Sequence, residues 1–532
     1  MPEFNSLLEK ISNGVEICSN DVLPYINQGN LKKRIWVNFM LAEAFYGVAN
    51  YGQAKVFIQR TWLFSGFDEA YLSLFINIHA ACDDVDSIRE AHKALGMKKS
   101  DDKKVVQALN HFNAWQSAYA VHRKDDEYHY DFEILDRIAL LAKPHAFPLK
   151  STQPIKNRKI RLAYLMFGMT HINSAIMIIN LHFAKYHDPT LFEIAFYVPE
   201  QSAWVLNHPQ AVENIKIIEQ FGWNVVLAPN SVSEEASLIG LSKLIYEFNP
   251  DILIPSAALA DLKHFFITAL QPAPIIIGFC SAHPPQFVAP NFDWTITWFR
   301  STLIECPTNC TLVDLRLDLP DREYSRDKAK SFFGISRENL VVMTCGRLPK
   351  LQDVGFLKAL VDLVSSHSNV CLVVVGIGEL PSMIRDQLLP DIAERIKTFG
   401  WVENFLGVLS MADVVVDTYP SGGGVVIKDA MALGTPVVSF KHNYMKAFSQ
   451  KEWSEGEEII GMPELLIERG DFESLKKLLS GLLTDHKYRE SLSGICKEHI
   501  NETSGGAEQM VKHCEQIYSD VLHKTQLLSR IS

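Results

Sequence analysis

Cations and glycines stand where apolar, β-branched runs come to an end. Arg347 and Lys350 lie in Cys345-Gly346-Arg347-Leu348-Pro349-Lys350, just after the run 341–344. Two cations there can stabilise charge growing on a departing diphosphate, or remain a solvated surface pair. Further on, Tyr419-Pro420-Ser421 breaks the run 414–416, and Gly422, Gly423 and Gly424 follow. The next stretch, 425–433, has helical length and composition and is stopped by Gly434 and Pro436. A glycine loop opening a helix leaves backbone N–H groups unpaired at the positive end of the helix dipole, where a diphosphate fits. Asp429, inside that helix, can accept both hydroxyls of a ribose. The alternative for the triplet is an ordinary βα turn in which glycine only permits tight packing.

Other residues at strand ends are less specific. Gly376 and Gly378 follow the run 370–375, a pattern common in α/β proteins. Trp401-Val402 can offer an aromatic wall and backbone groups to a nucleobase, or be core. His171 follows the first strand beside Gly168, where it can take a proton from an acceptor, hold a phosphate, or simply be structural. His283 sits in a turn stiffened by Pro284 and Pro285.

The elements that must position these residues fall into three blocks. Residues 1–150 contain few strand-like runs and read as helices. Asn50-Tyr51-Gly52 and Asp84-Val85-Asp86 each precede a helical segment, 34 residues apart (84 − 50), the tetratricopeptide period. Most signature residues are missing, so an irregular helical bundle fits as well. A basic, proline-containing stretch at 150–159 marks a boundary. From 155 to 318, strands at 160–167, 192–198, 223–227, 251–255, 275–279 and 294–298 alternate with helices, which implies a parallel, doubly wound sheet. From 325 to 520 a second alternation has strands at 339–345, 370–375, 396–399, 414–416 and from 437, and is helical from 465 onward. The expected architecture is two Rossmann-like α/β domains in tandem behind an all-α domain.

Composition narrows the partners. At 532 residues the chain is long enough for two or three domains. An apolar content of 47% with 21% charged residues is that of an ordinary globular protein. The formal net charge of −11 argues against a broad nucleic-acid surface, yet allows a local basic pocket. The nine cysteines form no framework; Cys306 and Cys310 make the one close pair, without the further ligands a zinc site needs. No run of about 18 apolar residues and no signal-peptide pattern occurs, so a cytoplasmic protein without a transmembrane segment is expected.

From Asp417 to Asp429 the chain resembles the catalytic region of the O-GlcNAc transferases and the bacterial cytoplasmic N-glycosyltransferases, glycosyltransferase family 41. There, an Asp-Thr strand end is followed by a glycine-containing loop, with a ribose-binding aspartate twelve positions after the first, as 429 − 417 = 12 here. The family's phosphate-binding lysine lies three residues after a polar one, as Lys350 follows Arg347. Its first-domain histidine follows the first strand, as His171 does, and Ser281-Ala282-His283-Pro284 is similar to the Gly-His-Pro turn of bacterial members. The likeness spans roughly 155–520. It departs where the family's polar loop side chains become Gly424, Val425 and Val426, so that backbone N–H groups must do more of the holding.

The resemblance implies a GT-B fold, two Rossmann-like domains facing across a cleft. It also implies transfer of a sugar, a hexose or N-acetylhexosamine, from a nucleotide sugar, with a UDP-sugar favoured. The expected step is a single inverting displacement onto an acceptor, most readily a protein side chain. No cofactor or metal is expected beyond the donor. Arg347, Lys350 and the helix end after Ser421 to Gly424 would stabilise the leaving diphosphate, with Gly346 and His283 beside the donor. Asp429 would hold the ribose, Trp401 and Val402 the base, and His171 would contact acceptor or phosphate. The helical domain would serve a partner or self-association. A retaining GT-B transferase of polysaccharide or glycolipid synthesis is one rival, although its usual glutamate pair eight residues apart becomes Ser421 and Asp429. A catalytically silent partner or chaperone subunit is the other.

Overall fold

The computed structural model describes residues 2–122, 131–150, 158–170, 175–256, 261–280, 289, 291–298, 309–319, 325–346, 348–351, 353–402, 404–420, 422–441 and 455–528. The chain divides into a helical unit, residues 1–123 with 128–141, and an α/β unit that includes 142–532.

In the helical unit, Leu31–Gly47 pairs with Tyr51–Phe64, and Val85–Asp101 with Val105–His122. The helix Leu72–Ala81 lies between these pairs in sequence. The turns that join helices share one design. Ala49, Asp83 and Lys103 take φ of 58°, 53° and 57°. The next residues donate N–H groups back to Phe45, His79 and Lys99 at 2.9, 2.9 and 2.8 Å. That closes each helix in a Schellman-type turn. Asn50 and Asp84 then cap the following helices by accepting from Gln53 N and Ser87 N. The 34-residue offset therefore has a structural basis, while the third turn, 20 residues after the second (103 − 83), departs from the period.

The α/β unit holds two parallel sheets. The first has seven strands in the order β3-β2-β1-β4-β5-β6-β7: β1 (Ile160–Leu165), β2 (Phe192–Gln201), β3 (Asn224–Ala228), β4 (Ile252–Pro255), β5 (Ile275–Cys280), β6 (Trp294–Thr297) and β7 (Cys310–Leu312). The second has six, in the order β10-β9-β8-β11-β12-β13: β8 (Leu340–Cys345), β9 (Val370–Val375), β10 (Ile396–Phe399), β11 (Val414–Val416), β12 (Val437–Phe440) and β13 (Leu466–Ile467). Every pairing is parallel. All of β9 and β11 is buried, which explains their unbroken β-branched character: helices cover both faces, so no polar alternation is needed.

Two strands lie outside the sequence expectation. β7 follows the six strands expected in the first block, and β13 interrupts a stretch read as helical from 465. With three and two residues, neither is long enough to carry a periodic signal.

The final helix, Ala507–Leu528, falls largely within the range 325–520 assigned by sequence to the second α/β block, yet it packs on the first sheet. Its Met510, Val511, Cys514, Ile517, Tyr518, Val521 and Leu522 share one apolar cluster with Tyr164, Phe183 and Phe196. Inside that contact His187 Nε2 lies 2.7 Å from Tyr164 Oη, and His187 Nδ1 lies 2.8 Å from Glu515 Oε1. Tyr518 Oη is 3.0 Å from Tyr164 Oη. A neutral imidazole donating to Glu515 and accepting from Tyr164, which accepts from Tyr518, satisfies the whole chain. Burial holds the His187 pKa below the ordinary value.

Candidate functional site

The carboxyl ends of β8, β9, β10 and β11 converge through their backbones. Gly376 follows β9 with φ of 115°, and a Cβ there would stand 1.8 Å from the Gly346 carbonyl oxygen. Only glycine fits such a conformation and approach. Gly346 donates to Val375 O at 3.0 Å, and a Cβ on it would lie 2.6 Å from the Thr418 methyl. Gly376 N–H reaches Phe399 O at 2.7 Å, which ties in the end of β10. Gly376, half of a pattern that sequence reading gives little weight, and Gly346 therefore set how closely these strand ends meet.

Lys350, in a short 3₁₀ turn (Leu348–Leu351) after β8, reaches the glycine loop and donates to the Gly422 carbonyl oxygen. The cation and the loop expected to share a diphosphate thus lie together. Beneath the loop, Tyr419 packs against Phe356, Phe440 and Phe472 with centroids 6.1, 5.0 and 5.2 Å away, anchoring the chain as it leaves β11.

The helix after the loop runs Val425–Ala432, and among the described residues no side chain caps its first turn. The amides of that turn therefore point outward for an anion. The loop itself is less open than the sequence implies. Gly423 N–H donates to Asp417 Oδ1 at 2.8 Å, so one amide of the triplet is taken by the protein. Asp417 also accepts Thr418 N–H at 2.8 Å and Ser439 Oγ–H at 2.6 Å. Burial pushes its carboxyl up to about 6 against these hydrogen bonds and the nearby Lys350 charge.

Asp429 lies one turn into the helix, half-buried, and among the described residues nothing donates to its carboxylate. Burial raises its pKa to about 7, opposed by the Lys428 charge. Its neighbours meet the first sheet's domain. Lys428 Nζ donates to Leu315 O at 2.6 Å, and Val425 packs on the first sheet's apolar cluster. The helix that would hold a nucleotide is thus seated at the junction of the two α/β domains.

Trp401, after β10, is 71% exposed and so is not core, whereas Val402 packs on the second domain's cluster. His171, His283, Arg347 and Ser421 lie outside the described residues. Asp417 is the residue that sequence reasoning used only as a spacing marker. A carboxylate directly after a buried β-branched strand is the signal that could have found it.

Residues 339–485 match the family model for glycosyl transferases group 1. No curated protein sequence matches the chain. Among solved structures, a mutant O-GlcNAc transferase from Thermobaculum terrenum is similar over 99% of each chain, with a TM-score of 0.57 at 14% identity. The Anabaena protein Alr3699/HepE in complex with UDP and glucose is similar over 68% of this chain and all of its own, with a TM-score of 0.51 at 14% identity. A Rickettsia africae glycosyltransferase is similar over 68% of this chain and 99% of its own, with a TM-score of 0.51 at 11% identity. At these identities the likeness is one of fold, and the fold is GT-B.

Proposed function

We propose that the protein is a glycosyltransferase that moves a sugar from a nucleoside diphosphate sugar, most readily a UDP-linked hexose or N-acetylhexosamine, onto a protein side chain. The observation that carries this reading is the contact of Lys350 with Gly422, one short loop before the helix that carries Asp429, to whose carboxylate nothing donates among the described residues. A diphosphate laid on the first turn of that helix would meet Lys350 and the amides from Gly424 onward, and its ribose would meet Asp429. The Anabaena neighbour, captured with UDP and glucose, supports a uridine nucleotide.

In the proposed step the acceptor atom attacks the anomeric carbon as the bond to the diphosphate breaks, inverting the configuration. Negative charge grows on the leaving diphosphate, where Lys350, Arg347 and the helix end stabilise it without moving, the condition under which such charges act most strongly. Trp401 would cover the base. His171 would contact the acceptor or the donor phosphate. The protein acceptor rests on the family resemblance and on the O-GlcNAc transferase neighbour's matching helical and α/β extent.

A thermal-unfolding screen against UDP, GDP, ADP and their sugar conjugates tests the reading. Ligand at about 100-fold its Kd adds roughly 2.7 kcal/mol of stability. A shift with uridine nucleotides that disappears in Asp429→Ala is expected. No shift with any nucleotide, or an equal shift in that variant, would remove the proposal.

A further inference from the structure

The carboxyl ends of the second sheet contain one group that no donor or acceptor need touch. Asp417 is 5% exposed, and each hydrogen bond that it accepts ties a different segment. Ser439 Oγ comes from β12, Thr418 N–H from the strand end, and Gly423 N–H from the middle of the loop. Gly422, whose carbonyl holds Lys350, precedes that last amide directly. Three converging donors are what keep a carboxylate ionised in a buried place, and they make it a rigid anchor in return.

We propose that Asp417 is the positioning residue of the phosphate-binding loop, clamping Gly423 inward so that the Gly422 carbonyl faces Lys350 and the amides beyond face the donor's diphosphate. This rests on the transferase reading for the identity of the ligand alone; the clamp itself rests on the three hydrogen bonds. One glycine allows the arrangement. A Cβ on Gly456, in the helix Glu455–Ile460, would stand 2.5 Å from Ser439 Oγ and 3.3 Å from Asp417 Oδ2. The space around the carboxylate is closed from that side by a residue with no side chain.

The clamp is sensitive to acid. Among the described residues, the groups that face Asp417 are Lys350 from the 3₁₀ turn, Ser439 from β12, Gly456 from the following helix and the backbone amides of Thr418 and Gly423. Protonation near pH 6 removes the charge that all of these donors share, and with it the hold on Gly423.

The test compares wild type with Asp417→Asn and, as a milder variant, Ser439→Ala. It uses two readouts: amide hydrogen exchange of residues 422–426, corrected for intrinsic rates, and affinities for UDP and for uridine. Asp417→Asn is expected to lose about tenfold in exchange protection and in UDP affinity, the worth of a charge-assisted hydrogen bond, while uridine affinity stays. Wild type should lose the same protection as pH falls through 6, and Ser439→Ala should lose it at higher pH. Unchanged protection in Asp417→Asn and Ser439→Ala would overturn the proposal, as would equal losses for UDP and uridine. If wild type binds neither ligand but shows the protection change, the clamp stands and the transferase reading falls.

Discussion

Asp429 is kept at a cost to stability. Burial disfavours the charge and pushes its carboxyl up to about 7, and among the described residues no hydrogen bond compensates. An unfolded aspartate titrates near 3.9. The folded state therefore holds this proton more tightly, so stability from this group falls as pH rises from about 4 to about 7 and is level above. Nucleotide binding has the opposite sign, since the ionised carboxylate is the better acceptor for ribose hydroxyls. Asp429→Asn should therefore raise the unfolding midpoint at pH 8 and weaken uridine and UDP alike by about tenfold or more. Calorimetric binding beside thermal unfolding checks both halves, and a variant that is less stable yet binds normally would contradict them. The place of Asp429 on the helix after the glycine loop was legible in sequence because a local spacing within one βα unit sets it. The hydrogen bonds of Asp417 were not, because they depend on Ser439, 22 residues away (439 − 417), and on a loop amide whose direction no pattern encodes.

The elements divide their labour between the two ends of each sheet. At the amino end of the first, Asp251 precedes β4, accepts Arg161 N–H of β1 at 2.9 Å and pairs with Arg158 at 2.6 Å. At the amino end of the second, Asp413 precedes β11 and accepts Val341 N–H of β8 at 2.8 Å. It also pairs with Lys330, only 3% exposed, at 2.7 Å. The same device, an aspartate bridging the central strand pair to a cation, fastens both sheets at their amino ends. Asp413→Ala would strand the Lys330 charge, so a loss of about 3–5 kcal/mol is expected, with donor affinity per folded molecule unchanged. Denaturant unfolding checks the first and nucleotide titration the second; a loss under 1 kcal/mol would deny the pair its role. The order of helices and most strands was legible because buried parallel strands and amphipathic helices have distinct periods. The share of the final helix between the two domains was not, since an apolar face does not say which sheet it will cover.

At the scale of the whole molecule, buried imidazoles set the acid limit. His79, His111, His182, His187 and His264 all have pKa values lowered by burial, that of His264 to about 4. Each holds a proton less readily folded than unfolded, so its contribution is present above the unfolded value of about 6.5 and is lost as pH falls below it. Glu200, Asp293, Asp417 and Asp429, whose carboxyls burial raises, act in the opposite sense, so five groups oppose four. The transition temperature should fall between pH 7 and pH 5. Scanning calorimetry across that range checks the sign, and a flat or rising profile would contradict it.

The return of the last helix to the first sheet also orders events in time. Tyr164 and Tyr518 touch across 354 residues of chain. As the polypeptide leaves the ribosome, the first sheet's strands emerge early, but the helix Ala507–Leu528 that packs on them is made only after the second sheet. Until then a face lined by Tyr164, Phe183 and Phe196 waits uncovered while the whole second domain is synthesised. The second sheet, with its cover helices nearby in sequence, can close during that wait, so the domain encoded later is able to finish first.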